Sequence, residues 1–140
     1  SVVYLDGKGN YSSKKKQKEI DSLISQYRAT SKANQSKVIC CFDCDDYDSK
    51  QEDRKFLEDA EKFCKDKGYE FVWFCKDVEQ VYIGKRVAAM QKKKEAANFK
   101  SKKQINTVAP ENLTAVKYRV NRSNIMKVLD GCPELIRKNS

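Results

Sequence analysis

Apolar positions along this chain fall into short blocks whose spacing switches between strand-like and helix-like. Val2-Val3-Tyr4-Leu5 is a block of β-favouring residues and predicts a first strand, followed by the glycine-containing turn Asp6-Gly7-Lys8-Gly9-Asn10. After the charge run Lys14-Lys15-Lys16-Gln17-Lys18, Ile20, Leu23, Ile24 and Tyr27 recur at helical spacing and predict one apolar stripe. Residues 29–36 are polar and predict a connection. Lys37 to Phe42 is apolar, β-favouring and too short for a typical helix, so it predicts a second strand. Ser49-Lys50-Gln51-Glu52 fits a capping box ahead of a helix that buries Phe56, Leu57, Ala60, Phe63 and Cys64. Gly68 stops that helix, with Lys65 and Lys67 in its last turn. Tyr69 to Cys75 is almost continuously apolar and predicts a third strand, central in a sheet. Asp77 is placed to cap a helix carrying Val78, Val81, Tyr82 and Val87. Residues 91–109, with Lys92-Lys93-Lys94 and Lys100-Ser101-Lys102-Lys103, show no periodicity and read as a basic flexible loop. Pro110 opens a short helical turn, and Ser123 caps a helix with Ile125, Met126 and Leu129 that ends at Gly131. No internal repeat is visible.

The order is strand and helix alternating three times, then helical. It predicts an α/β fold with three layers: a mostly parallel central sheet flanked by helices, and a helical, basic C-terminal part. At 140 residues the chain is long enough for one domain, 1–140, with its own core.

This arrangement turns attention to the acids. Asp43-Cys44-Asp45-Asp46 follows the second strand, where open α/β sheets place their ligands. Asp43 and Asp45 are two apart and share a direction while the backbone stays extended. Side-by-side carboxylates are costly without a cation, so Asp43, Asp45 and Asp46 are candidate ligands of Mg2+ (or Mn2+). The plainer alternative is a polar loop whose Asp residues turn the chain and cap the next helix. Asp6 follows the first predicted strand, and Asp77 and Glu79 follow the third. Parallel strands would bring all of these to one edge.

Charge adds a class of ligand only in combination with that edge. Lys and Arg number 29 against 20 Asp and Glu, a net charge of +9, with the acids concentrated between Asp43 and Glu70. A basic body around a local acidic site suits a polyanion whose phosphates meet a metal, although a Lys-rich solvated surface has the same composition. The 39% hydrophobic and 10% aromatic content excludes a disordered chain. Six cysteines and no histidine exclude His-based acid–base chemistry and Ser-His-Asp triads. Cys41-x-x-Cys44 has redox or zinc spacing but no second pair, and the thiols read as small buried residues of a cytoplasmic protein. No apolar run approaches a membrane span, and no signal peptide is visible. The opening on Ser1 without Met reads as a processed or trimmed start.

Leu5-Asp6-Gly7-Lys8-Gly9 and Phe42-Asp43-Cys44-Asp45, joined by a helix, resemble the two motifs of the Toprim domain of topoisomerases, primases and defence nucleases. Lys76-Asp77-Val78-Glu79-Gln80-Val81-Tyr82 is similar to the acidic helix start of small RloB-like and OLD-type Toprim proteins of phage defence. The resemblance spans residues 2–88 and departs from the family at Asp6, where the family carries the longer Glu. It implies Mg2+-dependent nuclease chemistry on nucleic-acid phosphodiesters. Asp43, Asp45 and Asp46 would bind metal, Asp6 would move a proton, and Glu79 would assist a second metal or the ligand shell. Lys8, Lys14, Lys15, Lys16, Lys85, Arg86, Arg119 and Arg122 would contact phosphates of DNA or RNA, and an ATPase is the kind of partner protein such a domain uses. The competing expectations are a catalytically decayed Toprim-like module binding nucleic acid or protein, a haloacid-dehalogenase-like phosphatase, and a receiver-like phosphoacceptor. The phosphatase reading lacks its usual Thr or Ser two residues beyond the second Asp, since Tyr47 stands there.

Overall fold

A computed structural model of the chain describes residues 1–33, 35–102 and 104–132, leaving aside the side chains of residues 105 and 106. The expectations for Lys103 and for the basic stretch beyond residue 132 lie outside them. The chain divides into two compact units, Ser1–Val38 and Ile39–Ser140.

The first unit is a turn and a helix. Asp6 and Gly7 take left-handed backbone (φ 56° and 95°), and the Asn10 side-chain amide donates to the Asp6 carbonyl at 2.6 Å. Glycine and Asp are among the few residues that adopt this region readily. Ser13 caps helix α1, Lys14–Thr30, by accepting from the Lys16 amide. Residues 1–6 form no strand, which corrects the predicted first strand. Val2 and Tyr4 are exposed, and β-favouring residues become a strand only where a ladder partner and a buried face are available.

The second unit holds the sheet. Strand β1 is Ile39–Asp43 and β2 is Glu70–Cys75, with helix α2, Gln51–Lys67, as the crossover. The two strands pair in parallel, Asp43 opposite Phe74. A two-residue strand β3, Arg122–Ser123, pairs with β2 antiparallel, Arg122 opposite Cys75. The α/β class stands, but the sheet is a small mixed one of three strands with β2 central.

Alternation along the strands sorts the core. Cys40 and Phe42 stand on the same side as Phe71 and Trp73, where Phe42 meets Phe56 of α2 edge-on (5.8 Å) and Leu57, Ala60 and Cys64 are buried. The opposite side carries Val72 and Phe74, packed with Ile39, Val81, Leu113, Ile125 and Val128. Ile39 is the first residue of β1, and the other partners come from α3 (Val78–Ile83), the 3-10 turn Pro110–Leu113 and α5 (Ile125–Asp130). α2 ends as its sequence predicts, on Gly68 at φ 73°. Its start differs: Lys50 is the N-cap and makes no side-chain capping bond, so the Ser49 capping box is not formed. α3 stops at Gly84 and does not reach Val87. Within residues 91–109, expected as a flexible loop, Lys92–Ser101 forms helix α4.

Candidate functional site

The carboxyl ends of β1 and β2 lie on one edge because the strands are parallel, and two of the three predicted acidic segments meet there. Asp43 closes β1 and faces the side of Val72 and Phe74. Its Oδ1 accepts a hydrogen bond of 3.0 Å from the Val78 amide at the start of α3. Burial pushes the Asp43 carboxyl up to about 6; the Val78 hydrogen bond opposes this, while the negative charges of Glu79, Asp45 and Asp77 add to it. Asp77 is a bifunctional cap. One oxygen accepts from the Gln80 amide at 2.8 Å, and the other takes the Lys92 ammonium at 3.0 Å.

The D-x-D-D segment does not act as one extended unit. β1 ends at Asp43, and the ladder runs on through Cys44 N–H to Phe74 O (2.9 Å) and Asp45 N–H to Lys76 O (2.7 Å). Asp45 itself takes φ 48°, so the shared direction expected of Asp43 and Asp45 from an extended backbone is lost. Its charge nonetheless reaches Asp43. Asp46 belongs to the following turn. Its amide donates to Asp53 (3.1 Å), and its carboxylate lies 3.6 Å from both Lys50 and Lys76. Asp48 is the second partner of Lys76, at 3.2 Å.

Asp6 is part of the first unit and sits in a turn rather than at a strand end. Its carboxylate pairs with Lys16 at 2.7 Å, and the hydrogen bond from that ammonium, together with its charge, holds Asp6 below its ordinary value. Lys16, one of the expected phosphate-contacting lysines, also lies 3.4 Å from Glu19 and is only 7% exposed, so it is buried between two acidic neighbours. Lys8, Lys14 and Lys15 are exposed, as are Lys85, Arg86 and Arg119, while Arg122 is half-buried in β3 opposite Cys75.

Lys92 is the residue that sequence reasoning missed. It begins α4, and its ammonium stands 3.0 Å from Asp77 and 3.7 Å from Glu79. Partial burial works against its charge, but the Asp77 hydrogen bond and the fields of Asp77, Glu79 and Asp43 outweigh that and raise its pKa. Nothing in the run Lys92-Lys93-Lys94 singles out its first member.

Among the described residues, no three His, Cys, Asp or Glu side chains are gathered as an all-protein metal cage. The donors at Asp43 are hard oxygens, and its raised pKa comes first from burial and only then from the charges of Glu79, Asp45 and Asp77. The thiols do not make a soft-metal site: Cys41 and Cys44 occupy opposite sides of the strand line, Cys41 exposed and Cys44 fully buried. Cys44 is held up by its hydrogen bond with Cys75 and by burial. An open cleft of about 300 Å³, lined by residues including Glu70, Val116, Asn124 and Lys127, lies by the amino-terminal start of β2, away from the acids. Among the described residues no helix is long and apolar enough to cross a membrane. No family model, curated protein or solved structure matches the chain.

Proposed function

We propose that this chain is a Toprim-like domain acting on nucleic-acid phosphodiesters with Mg2+ or Mn2+ held at Asp43 and a neighbouring carboxylate. The observation that carries the reading is Asp43 itself. It is a strand-end carboxylate at the switch from a parallel strand pair, pushed up to about 6 by burial and by Glu79, Asp45 and Asp77. A hard cation held by Asp43 and a neighbouring carboxylate would relieve that repulsion and would supply polarisation of a phosphoryl oxygen.

The chain's own residues supply the rest. The Val78 amide fixes the Asp43 carboxylate by holding one oxygen. Asp45 and Glu79 supply further negative charge beside it. Exposed Lys85 and Arg86 follow α3, next in sequence to this edge, and bind backbone phosphates with little regard to sequence, as do Lys8, Lys14, Lys15, Arg119 and Arg122. Asp6, the proton carrier that the resemblance implies, belongs to the first unit, where Lys16 holds it ionised. The six free thiols suit a reducing compartment such as the cytoplasm.

A second reading, a decayed module that binds nucleic acid without cutting it, is favoured by one observation: Asp6 and Asp46, two acids of the expected set, are paired with lysines. Incubation of labelled DNA and RNA with Mg2+ or Mn2+ separates the two. Cleavage by the wild type, reduced at least about a hundredfold in Asp43→Ala, is expected; removing one essential catalytic interaction costs on this order. Binding by both proteins with cleavage by neither establishes the decayed module. Undiminished cleavage by Asp43→Ala sinks the metal assignment.

A further inference from the structure

We propose that Cys44 and Cys75 form a redox-active dithiol, a modification site that hydrogen peroxide converts to a disulfide, with Tyr47 as its cover. This goes beyond the nucleic-acid reading above and does not depend on it.

Strand register sets the two side chains together. β1 and β2 pair in parallel as far as Asp43 opposite Phe74. The Cys44 amide donates to the Phe74 carbonyl at 2.9 Å, which carries the ladder one step further and stands Cys44 opposite Cys75. Neighbouring strands run about 4.8 Å apart, inside the roughly 4.4 to 6.8 Å of Cα separation that a disulfide spans. Alternation puts both side chains on the side of the sheet that carries Phe42 and Trp73. Both are fully buried, and both are free thiols.

Cysteines that only fill a core behave as small hydrophobes. Here one sulfur gathers two polar neighbours instead: Cys75 shares a hydrogen bond with the Cys44 thiol and another with the Tyr47 hydroxyl. Tyr47 is set in place by the turn after β1, its amide donating back to the Cys44 carbonyl at 3.2 Å. Its half-buried ring leans on Tyr118 (5.7 Å), which meets Trp73 edge-on (5.0 Å). Turn and loop segments open more readily than the strands beneath them, so displacement of Tyr47 admits a small oxidant.

The chemistry closes on this pair. The Cys75 sulfur attacks one peroxide oxygen, the O–O bond breaks, and the departing oxygen leaves as water with the Cys75 proton. The Cys44 sulfur then displaces hydroxide from the resulting sulfenic acid, the S–S bond forms, and a second water leaves with the Cys44 proton. The two sulfurs lose one electron each, and the peroxide oxygens gain them. A reducing thiol pool reverses the step by exchange, so the pair rests as a dithiol. The bridge ties the carboxyl end of β1 to that of β2, one residue from Asp43 and two from Asp77.

The test exposes the reduced full chain to hydrogen peroxide, alkylates the remaining thiols and maps the peptides by mass spectrometry without reduction. The expected result is joint loss of the Cys44 and Cys75 thiols, a Cys44–Cys75 linked peptide, and recovery of both thiols with dithiothreitol. Cys44→Ser is expected to form no link and to leave a sulfenic acid at Cys75 that dimedone traps. Tyr47→Ala, with circular dichroism to verify folding, is expected to form the link severalfold faster. The wild-type map decides even where a variant does not fold. Oxidation confined to the exposed Cys41, a link from Cys44 or Cys75 to some other cysteine, or an unchanged rate in folded Tyr47→Ala overturns the inference.

Discussion

At the scale of single residues, the decisive quantity is the cost of ionising Asp43. Its folded pKa of about 6 lies above the ordinary value of a free Asp, so the folded chain holds this proton more tightly than the unfolded chain does. The sign follows from linkage: a group raised in the fold stabilises most at low pH, and stability falls as pH climbs from about 4 through about 6. A two-unit shift corresponds to about 3 kcal/mol, and partial exposure of the carboxylate reduces this to about 1–2 kcal/mol. Asp43→Asn keeps an oxygen to accept from Val78 and removes the charge. In chelator-treated buffer it is expected to be more stable than the wild type at pH 7 by that amount and indistinguishable near pH 4. Urea titrations at both values measure it. An Asn variant less stable than the wild type at pH 7 would show that the ionised carboxylate is an asset to the fold. Asp6 runs the other way. Its pKa is lowered by Lys16, so its contribution is present above the ordinary Asp range and lost on acidification.

At the scale of elements, the end of α2 shows what a local signal is worth. Gly68 takes φ 73°, its amide reaches the Cys64 and Lys65 carbonyls, and the Tyr69 amide returns to Cys64 at 2.8 Å. A Cβ at Gly68 would meet no atom within 4 Å, so Gly68→Ala isolates the backbone cost of the left-handed cap. The expected loss is about 1 kcal/mol, read as a shift of the denaturation midpoint without a change of slope. That helix, β1, β2 and the Asp77 cap were legible because short-range chemistry decides them: apolar runs of strand length, a glycine after basic residues, an Asp three ahead of Gln80. The element signals failed where the deciding partner is distant. Val2-Val3-Tyr4-Leu5 carries the composition of a strand yet gains no ladder, whereas Arg122-Ser123, with no strand composition, gains one from β2. α4 has no sharp apolar stripe to read, and its place is marked by one ring contact, Phe99 on Tyr82 (5.9 Å), and by the Lys92 pairs. The same limit divided the candidate site. Asp43, Asp77 and Glu79 followed from strand ends, while Lys92 required tertiary contact, and Asp45 required a backbone turn that its position in D-x-D-D does not announce.

At the scale of the whole molecule, the relevant property is net charge and which cations are available to spend it. The chain carries +9, but an ammonium already committed to a carboxylate releases no counterion from nucleic acid. Lys16, buried and paired with Asp6 and Glu19, and Lys92, paired with Asp77 and Glu79, are of that kind. Lys85 and Arg86 are exposed, as are Lys14 and Lys15. Binding of a labelled oligonucleotide, followed by fluorescence anisotropy between about 50 and 200 mM salt, is therefore expected to weaken steeply, with each phosphate contact contributing a slope of about 0.7 to 0.9 in log K against log salt. Lys85→Gln with Arg86→Gln is expected to flatten that slope by about 1.4 to 1.8 and to lower affinity alike for every sequence tested. Lys16→Gln is expected to leave the slope where it was, since its charge is already spent inside the fold. An unchanged slope in the Lys85/Arg86 variant would move the interface to other cations. A flattened slope in Lys16→Gln would mean that the Asp6 pair opens to receive a phosphate, making Asp6 and Lys16 one exchangeable unit at the binding surface.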